Sequence, residues 1–381
     1  MTLLAVAAIS LLAITAAPYI IFLLLYVWVR PQGSPADKTP AEPTVSIVLP
    51  TYNEEQIVET KLEDLIELDY PLEKVELVVV DSSTDDTRSV VRDFFTGIDS
   101  PSLTLIEEQD RGGVAKAVNQ AMESVTSEVV FRTDCDSKLA PNALREAVAN
   151  LSDERVSAVT GQQADVLGDS RVEQDYRDIL CRVQMLESHL DSTFICHGPC
   201  FAFERSAFTS IAPDSLADDT EIGIHIRRES SNRVIVDPAI HFFESGVSEF
   251  GKRRTRKDRR AMGLVQLLVR NRDLLGRKGW YGRFVLPFNW WFMIASPWFI
   301  LLSALVVTAA IIQLVGVVGI SIPVLAAVFF ALGQRDQLGP LQPLYAIVDS
   351  QVSLLIAQLR LVFDDVTGIW TVDRESRKVF E

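Results

Sequence analysis

The sequence predicts an α/β domain with a mostly parallel sheet, flanked by transmembrane helices. Between residues 44 and 134, short apolar runs typical of buried strands alternate with segments of helical spacing, which is the order of a parallel sheet covered by helices. Apolar blocks at residues 3–29 and 284–332 enclose the polar middle of the chain. At about 1.5 Å of rise per residue, each block is long enough to cross a hydrocarbon core of roughly 30 Å.

The elements of the soluble part follow from the periodicity of the apolar side chains. Four buried strands are predicted, at residues 44–50, 75–81, 102–106 and 127–134. Helices are predicted between them, at residues 54–68, 85–95 and 113–124.

The outer segments are predicted from apolar length and from turn-forming residues. Asp349 and Gln351 interrupt the last apolar stretch, so that stretch either spans the membrane or lies at its interface. The predicted segments are an N-terminal transmembrane helix (1–30), a Pro-rich linker (31–43), two transmembrane helices (284–332) that meet near Gln313 and Gly316, a third membrane or interfacial helix (341–363), and a cytoplasmic or interfacial tail (364–381).

The charge distribution predicts partners and orientation. The formal net charge is -15, from 51 acidic and 36 basic residues. This excess of carboxylates repels phosphates and argues against nucleic acid as a partner. Residues 252–283, just before the second apolar block, are instead rich in Lys and Arg. By the positive-inside rule, the sequence predicts a multi-pass protein of the cell membrane whose middle part lies in the cytoplasm.

Acidic and amide side chains follow three of the predicted strands. The first strand ends in PTYNEE (50–55), the second in DSSTDD (81–86) and the fourth in TDCD (133–136). Ligands bind beyond the carboxyl ends of parallel strands, so these side chains are expected to surround one ligand. Without a ligand or a cation, gathering so many carboxylates would be costly.

Asp134 and Asp136 are two residues apart, and on an extended chain such residues point the same way. A hard divalent cation prefers carboxylate oxygens and substrate phosphates as ligands. The pair therefore predicts a cation that bridges a diphosphate and offsets the charge of the leaving group. The alternative is a solvated turn in which Asp136 caps the next helix.

PTYNEE, VVVDSSTDDT and TDCD, in this order and spacing, resemble the motifs of the GT-A glycosyltransferases of family 2. The resemblance covers residues 44–275, with a nucleotide-sugar half (44–137) and an acceptor half (138–275). It implies the GT-A fold, a nucleotide-diphosphate sugar as donor, Mg²⁺ or Mn²⁺ as cofactor, and inversion at the anomeric carbon.

The resemblance also implies roles for residues of the donor site. Tyr52 and Glu54 are expected near the nucleotide base, and Asp81 near the base or the ribose. For Asp81 the alternative is a turn-forming aspartate. Asp134 is expected near the ribose and the diphosphate. The implied donor-binding residues are Pro50, Tyr52, Glu54, Asp81, Asp134 and Arg259, and the implied metal ligand is Asp136.

Two segments of the acceptor half resemble family motifs. ADDTEIG (217–223) resembles the acidic motif, which implies Asp219 as the catalytic base and places Asp218 beside it in the acceptor pocket. Asp218 followed by Glu221 is also close to a helix capping box, and the two roles are compatible. HGPCFAF (197–203) resembles the segment that shapes the acceptor pocket, which implies a place there for Gly198.

The basic stretch KRRTRKDRR (252–260) occupies the place of the family's QxxRW motif but keeps only Arg259. In processive members the tryptophan and glutamine hold the growing polymer, so addition of a single sugar is expected here. The basic cluster itself has three open interpretations. It binds the donor diphosphate or a lipid phosphate, it contacts anionic headgroups, or it is only a topology signal.

The sequence thus predicts an inverting glycosyltransferase that moves a sugar from a nucleotide-diphosphate donor to a lipid-linked saccharide or polysaccharide at the membrane, for surface glycans. A carboxylate base suits a hydroxyl acceptor, because a hydroxyl must lose a proton and a phosphate oxygen is already ionised. Two alternatives stay open. One is a polyprenyl-phosphate glycosyltransferase, and the other is a catalytically inactive membrane scaffold with the same fold.

Overall fold

The structure, a computed structural model, describes residues 3–167, 171–245 and 250–363, and the predicted tail at 364–381 lies outside them. It confirms the predicted α/β class, with apolar helices on both sides. The strands are β1 (Val45–Thr51), β2 (Val75–Asp81), β3 (Ser102–Glu107), β4 (Val129–Arg132), β5 (Ser137–Leu139), β6 (Val156–Leu167), β7 (Phe201–Glu204) and β8 (Arg233–Ser245). The helices are α1 (Leu3–Val29), α2 (Val58–Ile66), α3 (Thr87–Phe94), α4 (Val114–Ser124), α5 (Ala143–Leu151), α6 (Arg171–Leu190), α7 (Asp218–Glu229), α8 (Phe250–Arg270), α9 (Tyr281–Val315), α10 (Ser321–Gly333) and α11 (Gln342–Phe363).

The strands form one sheet with the order β3-β2-β1-β4-β7-β6-β8-β5. The first four of these run parallel, as the alternation of strands and helices predicts. The second half is mixed, because β7 runs antiparallel to β4 and β6, and β5 runs antiparallel to β8. The parallel arrangement is therefore complete only in the predicted nucleotide-sugar half.

The register of the parallel strands brings their carboxyl ends together. Thr51 at the end of β1 lies opposite Asp81 at the end of β2. On the other side of β1, Val48 lies opposite Arg132, the last residue of β4. The polar residues that follow these three strands consequently emerge at the same edge of the sheet.

Helices cover both faces of the sheet. Apolar residues of α2, α3 and α5 pack on one face, where Leu62 and Leu144 are fully buried. Residues of α4 and α7 pack on the other, with Ala121 and Ile222 fully buried. Each fully buried leucine or isoleucine stabilises the fold by about 1.5–3 kcal/mol. The central strands are buried on both faces and therefore read as continuous apolar runs in the sequence.

In the part of the chain that the structure describes, three helices are long and apolar enough to cross a membrane: α1, α9, and the helix that ends at Phe363. α1 packs against α9, where Tyr19 Oη lies 2.5 Å from Ser296 Oγ and the Phe22 ring stacks on Phe288. A break follows α9 at Gly316, which has a φ of 68°. α10 beyond it has 13 residues, and at about 20 Å it is shorter than a hydrocarbon core.

The predicted linker at residues 31–43 packs on the α/β domain. The Asp37 backbone N–H donates to Asp153 Oδ2 at 2.9 Å. Lys38 Nζ bonds Asp237 Oδ2 at 2.9 Å and also pairs with Glu146. These contacts fix where the chain leaves α1.

A buried polar contact joins the α/β domain to α9. Glu187 of α6 is 1% exposed, and Asn289 Nδ2 donates to its Oε1 at 2.6 Å. The Phe194 N–H donates to its other oxygen at 3.0 Å. Because a buried carboxyl needs such donors, this group specifies how α6 and α9 meet.

Candidate active site

One cavity of about 300 Å³ lies at the carboxyl edge of the parallel strands. It is lined by residues that follow β1, β2, β3 and β4, by the start of α7, and by α8. Ten residues are predicted for the site from sequence, and all except Asp81 line this cavity. Those nine are Pro50, Tyr52, Glu54, Asp134, Asp136, Gly198, Asp218, Asp219 and Arg259.

The loops after β1 and β2 hold each other in place. Asn53 has a left-handed φ of 55°, a conformation that asparagine tolerates better than most residues. Its N–H donates to Ser83 Oγ and its side-chain oxygen accepts from the Thr84 N–H, both at 2.8 Å. The Glu54 N–H donates to Thr87 Oγ1 at 2.9 Å. These bonds position Tyr52 and Glu54 at the cavity wall.

Asp81 lies beneath the cavity and not in its wall. Its side chain is fully buried and accepts from Thr51 Oγ1, Ser83 Oγ and Arg88 Nε, each at 2.6 Å, and from the Ser83 N–H at 2.9 Å. Both carboxylate oxygens are therefore occupied by groups of the chain. Asp81 thereby links the loops that follow β1 and β2, and its contact with the base or the ribose stays a prediction.

Glu108 and Arg111, in the neighbouring β3–α4 loop, line the cavity and were not predicted from sequence. Glu108 follows β3 directly, and its N–H donates to the Asp81 carbonyl at 2.8 Å. The guanidinium of Arg111 lies 3.5 Å above the centre of the Tyr52 ring, a cation–π contact. Their place in the sequence could have predicted them, because both follow a strand of the parallel sheet.

Arg132 is the electrostatic centre of the site and was also missed from sequence. It is 4% exposed. Its Nη1 lies 3.0 Å from Asp134 Oδ1 and its Nε 3.1 Å from Asp218 Oδ2. A Cβ at position 198 would overlap Nη1, so only glycine leaves room for this guanidinium. A charged residue inside the apolar run VVFRTD was the signal, because a buried charge needs partners.

Asp219 lies in the first turn of α7, where a helix N-terminus favours a carboxylate. Its Oδ2 accepts from the Gly198 N–H and its Oδ1 from the Thr220 N–H, each at 2.6 Å. Burial raises the pKa of the Asp219 carboxyl to about 7, and the carboxylate of Asp218 adds to the shift. The carboxyl therefore titrates near neutrality, which is where a general base is effective.

The donor set at Asp134 and Asp136 fits a divalent cation that shares its coordination with a substrate. Among the described residues, no group of three or more His, Cys, Asp or Glu side chains could hold a metal alone. Mg²⁺ in particular is bound in proteins by one or two carboxylates together with phosphate oxygens and water. Asp134 pairs with Arg132, and Asp136, the ligand expected from the sequence, lines the same cavity.

Three arginines of α8 also line the cavity, namely Arg256, Arg259 and Arg260, and Arg259 lies within electrostatic range of Asp134 and Asp136. Arg260 Nη2 bonds both oxygens of Glu244, at 2.9 and 3.0 Å. Burial lowers the pKa of Arg259 to about 10, and Arg260 and Arg256 lower it further. Arg259 still carries its charge at pH 7, so this wall of the cavity suits an anion.

A second cavity of about 140 Å³ adjoins the first on the side of the apolar helices. It lies between α6, α8, α9 and α11. The two cavities share residues of their walls, among them His197, Arg256 and Arg260. The second cavity adds cationic side chains (Arg177, Arg254 and Lys257), apolar ones (Phe292, Met293 and Leu354) and one carboxylate (Asp349).

His197 separates the two cavities and is a structural residue. Burial lowers its pKa to about 4, and the nearby charge of Arg260 adds to the effect. The imidazole is therefore neutral at pH 7, with Nε2 3.1 Å from the amide oxygen of Gln184.

Family models and known proteins agree with this geometry. A model described as "Glycosyl transferase family 2" matches residues 46–211, and one described as "Glycosyl transferase family group 2" matches residues 129–332. An N-acetylglucosaminyltransferase of Rhizobium meliloti is 28% identical over 216 residues, which are 54% of this chain and 50% of that protein. Glycosyltransferase AglE of Haloferax volcanii is 29% identical over 147 residues, 38% of this chain and 48% of that protein.

The chain spans about half the length of the curated relatives it matches. Its similarity to one solved structure is more complete. The mannosyltransferase PcManGT from Pyrobaculum calidifontis, solved with GDP-Man and Mn²⁺, is 28% identical and superposes with a TM-score of 0.79 over 96% of this chain and 100% of that one. The second family model alone covers more than half of the chain, from β4 to α10. With its sheet of GT-A type and its strand-end acids in one cavity, the chain belongs to glycosyltransferase family 2.

Proposed function

We propose that this protein transfers a sugar from a nucleotide-diphosphate donor to a hydroxyl of a lipid-linked saccharide or polysaccharide at the membrane, with inversion of the anomeric carbon. The observation that carries the proposal is the single cavity that unites Asp134 and Asp136 with Asp219. One side of it suits a diphosphate and a cation, and the other presents a carboxyl that titrates near pH 7.

Separate elements would hold the donor. The Tyr52 ring and the β3–α4 loop line the cavity together and suit a base. Asp136 would hold Mg²⁺ or Mn²⁺, which offsets the charge that develops on the diphosphate as it leaves. The guanidinium of Arg259 lies where it can pair with a diphosphate oxygen. That PcManGT was solved with GDP-Man and Mn²⁺ supports a donor and a cation of these classes.

Asp219 would accept the proton of the attacking hydroxyl. Two N–H groups fix its oxygens, so the carboxylate is oriented before the acceptor arrives. Arg132 holds Asp134 on the donor side and Asp218 on the acceptor side, and it therefore sets the distance between the two halves of the reaction. Addition of one sugar at each encounter is proposed, because only Arg259 of the QxxRW motif is present.

The second cavity supports an acceptor that comes from the membrane. It opens the first cavity toward α9 and α11, and its walls combine apolar and cationic side chains. This combination fits the phosphate end of a lipid with its first isoprenoid units. The same arrangement supports a multi-pass protein whose catalytic domain lies on the cytoplasmic side, where nucleotide sugars are made.

The cationic wall also favours a second candidate, transfer to a polyprenyl phosphate itself. Arg256 and Arg260 belong to both cavities, so a lipid phosphate held by them would lie beside the donor. In that reaction the phosphate oxygen attacks, and Asp219 has no proton to remove.

Mass spectrometry of the product tests the proposal. The purified full-length chain, with Mn²⁺ and a panel of nucleotide sugars, is incubated with a lipid extract that contains polyprenyl phosphates and lipid-linked saccharides. The proposal expects a saccharide one sugar longer on its lipid. A sugar esterified to a lipid phosphate would select the second candidate. Donor that stays intact with every acceptor, and no metal-dependent binding of any nucleotide sugar, would favour an inactive scaffold.

A further inference from the structure

Glu108 is a buried carboxylate without a bonding partner in the wall of the active-site cavity. It is 7% exposed and follows β3 at the level where β2 ends in Asp81. Its Oε1 is shielded from solvent and has no hydrogen-bond partner. Among the described residues, no ion pair of this carboxyl is found, and the charge of Lys116 acts on it without a hydrogen bond. A buried carboxylate in this condition is costly unless a ligand supplies the missing donors.

The surroundings of Glu108 match those of a nucleotide base. The Tyr52 ring and the Arg111 guanidinium stacked upon it give a flat polar surface. Val114 and Ala117 of α4 give an apolar surface, and all of these groups line the cavity. An aromatic face beside a single polar group is how proteins commonly hold an unpaired base.

The expected alternative, Asp81, is already committed. Four hydrogen bonds from Thr51, Ser83 and Arg88 occupy its oxygens. Asp81 would have to give up one of these bonds to bind a base, whereas Glu108 would gain bonds that it lacks. Hydrogen-bond satisfaction therefore favours Glu108, directly after β3, as a further group that can bind the base.

The chemistry of a free carboxylate discriminates between bases. It only accepts hydrogen bonds, and its two oxygens suit two adjacent donors. Guanine presents such a pair, N1–H beside the 2-amino group. Uracil presents one N–H between two carbonyl oxygens, which a carboxylate repels. Adenine presents an amino group beside a bare ring nitrogen, which also repels it. A bidentate contact of this kind discriminates by about 1–3 kcal/mol, or roughly five- to 150-fold.

We propose that Glu108 recognises the nucleotide of the donor and selects guanine, so that the donor is a GDP-sugar. The proposal rests on the proposed function, since it assigns the base of the same donor site. Glu108 is then a residue that determines the specificity for the donor and takes no part in the transfer itself.

Nucleotide titration of the purified full-length protein with Mn²⁺ tests this assignment. The probes are GDP, IDP, UDP and ADP, and IDP differs from GDP only by the missing 2-amino group. We expect GDP to bind at least tenfold more tightly than each of the others. Glu108→Gln should weaken the binding of GDP at least tenfold and leave the binding of UDP unchanged. The amide offers one acceptor only, and its NH2 group faces an N–H donor of guanine.

Glu107→Gln is the matched control. Glu107 is adjacent in sequence, is 43% exposed and pairs with Arg92 on the surface. The Glu107→Gln variant should bind GDP as tightly as the unaltered protein. Tighter binding of UDP than of GDP, or GDP affinity that survives Glu108→Gln, would overturn the assignment and leave the transferase function standing. Failure to bind any nucleoside diphosphate would contradict the proposed function as well. An unchanged UDP affinity and thermal midpoint in Glu108→Gln establish that the variant is folded.

Discussion

The backbone N–H of Gly198 donates a 2.6 Å hydrogen bond to Asp219 Oδ2. The same glycine packs against the guanidinium of Arg132, which pairs with Asp134 and Asp218. One residue without a side chain thus joins the proposed base to the acids of the donor half. The placement of the site depends on this contact more than on any single carboxylate.

Gly198→Ala tests that dependence. A methyl group at this position overlaps Arg132 Nη1, and the buried guanidinium has little space to move. Overpacking of this kind costs about 1–3 kcal/mol. We expect a ten- to hundredfold lower transfer rate and a lower thermal midpoint. Arg132→Lys should give a similar loss, and the double variant should lose less than the sum of the two. Fully additive losses would show that Gly198 and Arg132 act independently.

The pH dependence of transfer follows from the pKa of Asp219. Burial and the Asp218 carboxylate raise this pKa to about 7, and only the ionised form accepts a proton. We expect kcat/KM to rise with pH up to about 7 and then to level off. In Asp218→Asn the repelling charge is gone, so the rising limb should move to lower pH. A limb that stays in place, or moves upward, would contradict the role of Asp218 in setting this pKa.

Removal of the metal should act through Asp136. We expect EDTA to abolish transfer and to weaken binding of the nucleotide diphosphate, and added Mn²⁺ to restore both. In Asp136→Ala the nucleotide affinity should no longer respond to Mn²⁺, because the protein supplies few other ligands there. Asp214→Asn is the control, since Asp214 is 67% exposed in its side chain and pairs with Arg270 outside the cavity. Nucleotide binding that responds to Mn²⁺ equally in both variants would exclude Asp136 as the ligand.

Glu187 should make stability depend on pH. Burial raises its pKa to about 7, while the unfolded chain ionises near about 4.3. The folded state therefore binds a proton that the unfolded state has released. Its contribution to stability is complete below the unfolded pKa and is lost as pH rises through about 7. We expect the thermal midpoint of the detergent-solubilised protein to fall between pH 5 and 8.

In Glu187→Gln the thermal midpoint should fall less between pH 5 and 8, because glutamine keeps the contact with Asn289 and has no proton to lose. Glu187→Ala should lower the free energy of unfolding by about 1–3 kcal/mol at every pH, since it removes the acceptor of the buried Phe194 N–H and of one hydrogen of the Asn289 amide. An unchanged slope in Glu187→Gln would attribute the pH dependence to other groups, such as Asp219.

Much of the fold could be predicted because buried parallel strands are written as apolar runs. β2 occupies residues 75–81 as predicted, and β1 is displaced by one residue. The common edge of the strands then places Asp134 and Asp136 near each other without further information. The insertion of β7 between β4 and β6, antiparallel to both, could not be predicted, because β7 has only four residues and pairs with strands that are distant in the sequence.

The parts of the site that escaped prediction are those decided by hydrogen-bond partners. Asp81 ends β2, and Glu108 directly follows the neighbouring strand β3. The sequence alone favours Asp81 as the residue that contacts the base, because Asp81 belongs to DSSTDD. Only the coordinates show that Asp81 is fully bonded and that Glu108 is not. Arg132 is a similar case. Its place in the site depends on the charges of Asp134, Asp218 and Asp219, which lie on two segments that are far apart in the sequence.

The most direct test compares sugar transfer and donor binding in Asp219→Asn. The amide cannot accept the proton of a hydroxyl, but its oxygen can still accept from the Gly198 N–H, which is the contact that joins this residue to the donor half. With a saccharide acceptor and Mn²⁺, we expect transfer about 10²- to 10⁴-fold slower than in the unaltered protein, while nucleotide-diphosphate affinity changes less than about threefold, as in Asp214→Asn. Transfer at nearly the original rate would contradict the assignment of Asp219 as the base that completes this cavity.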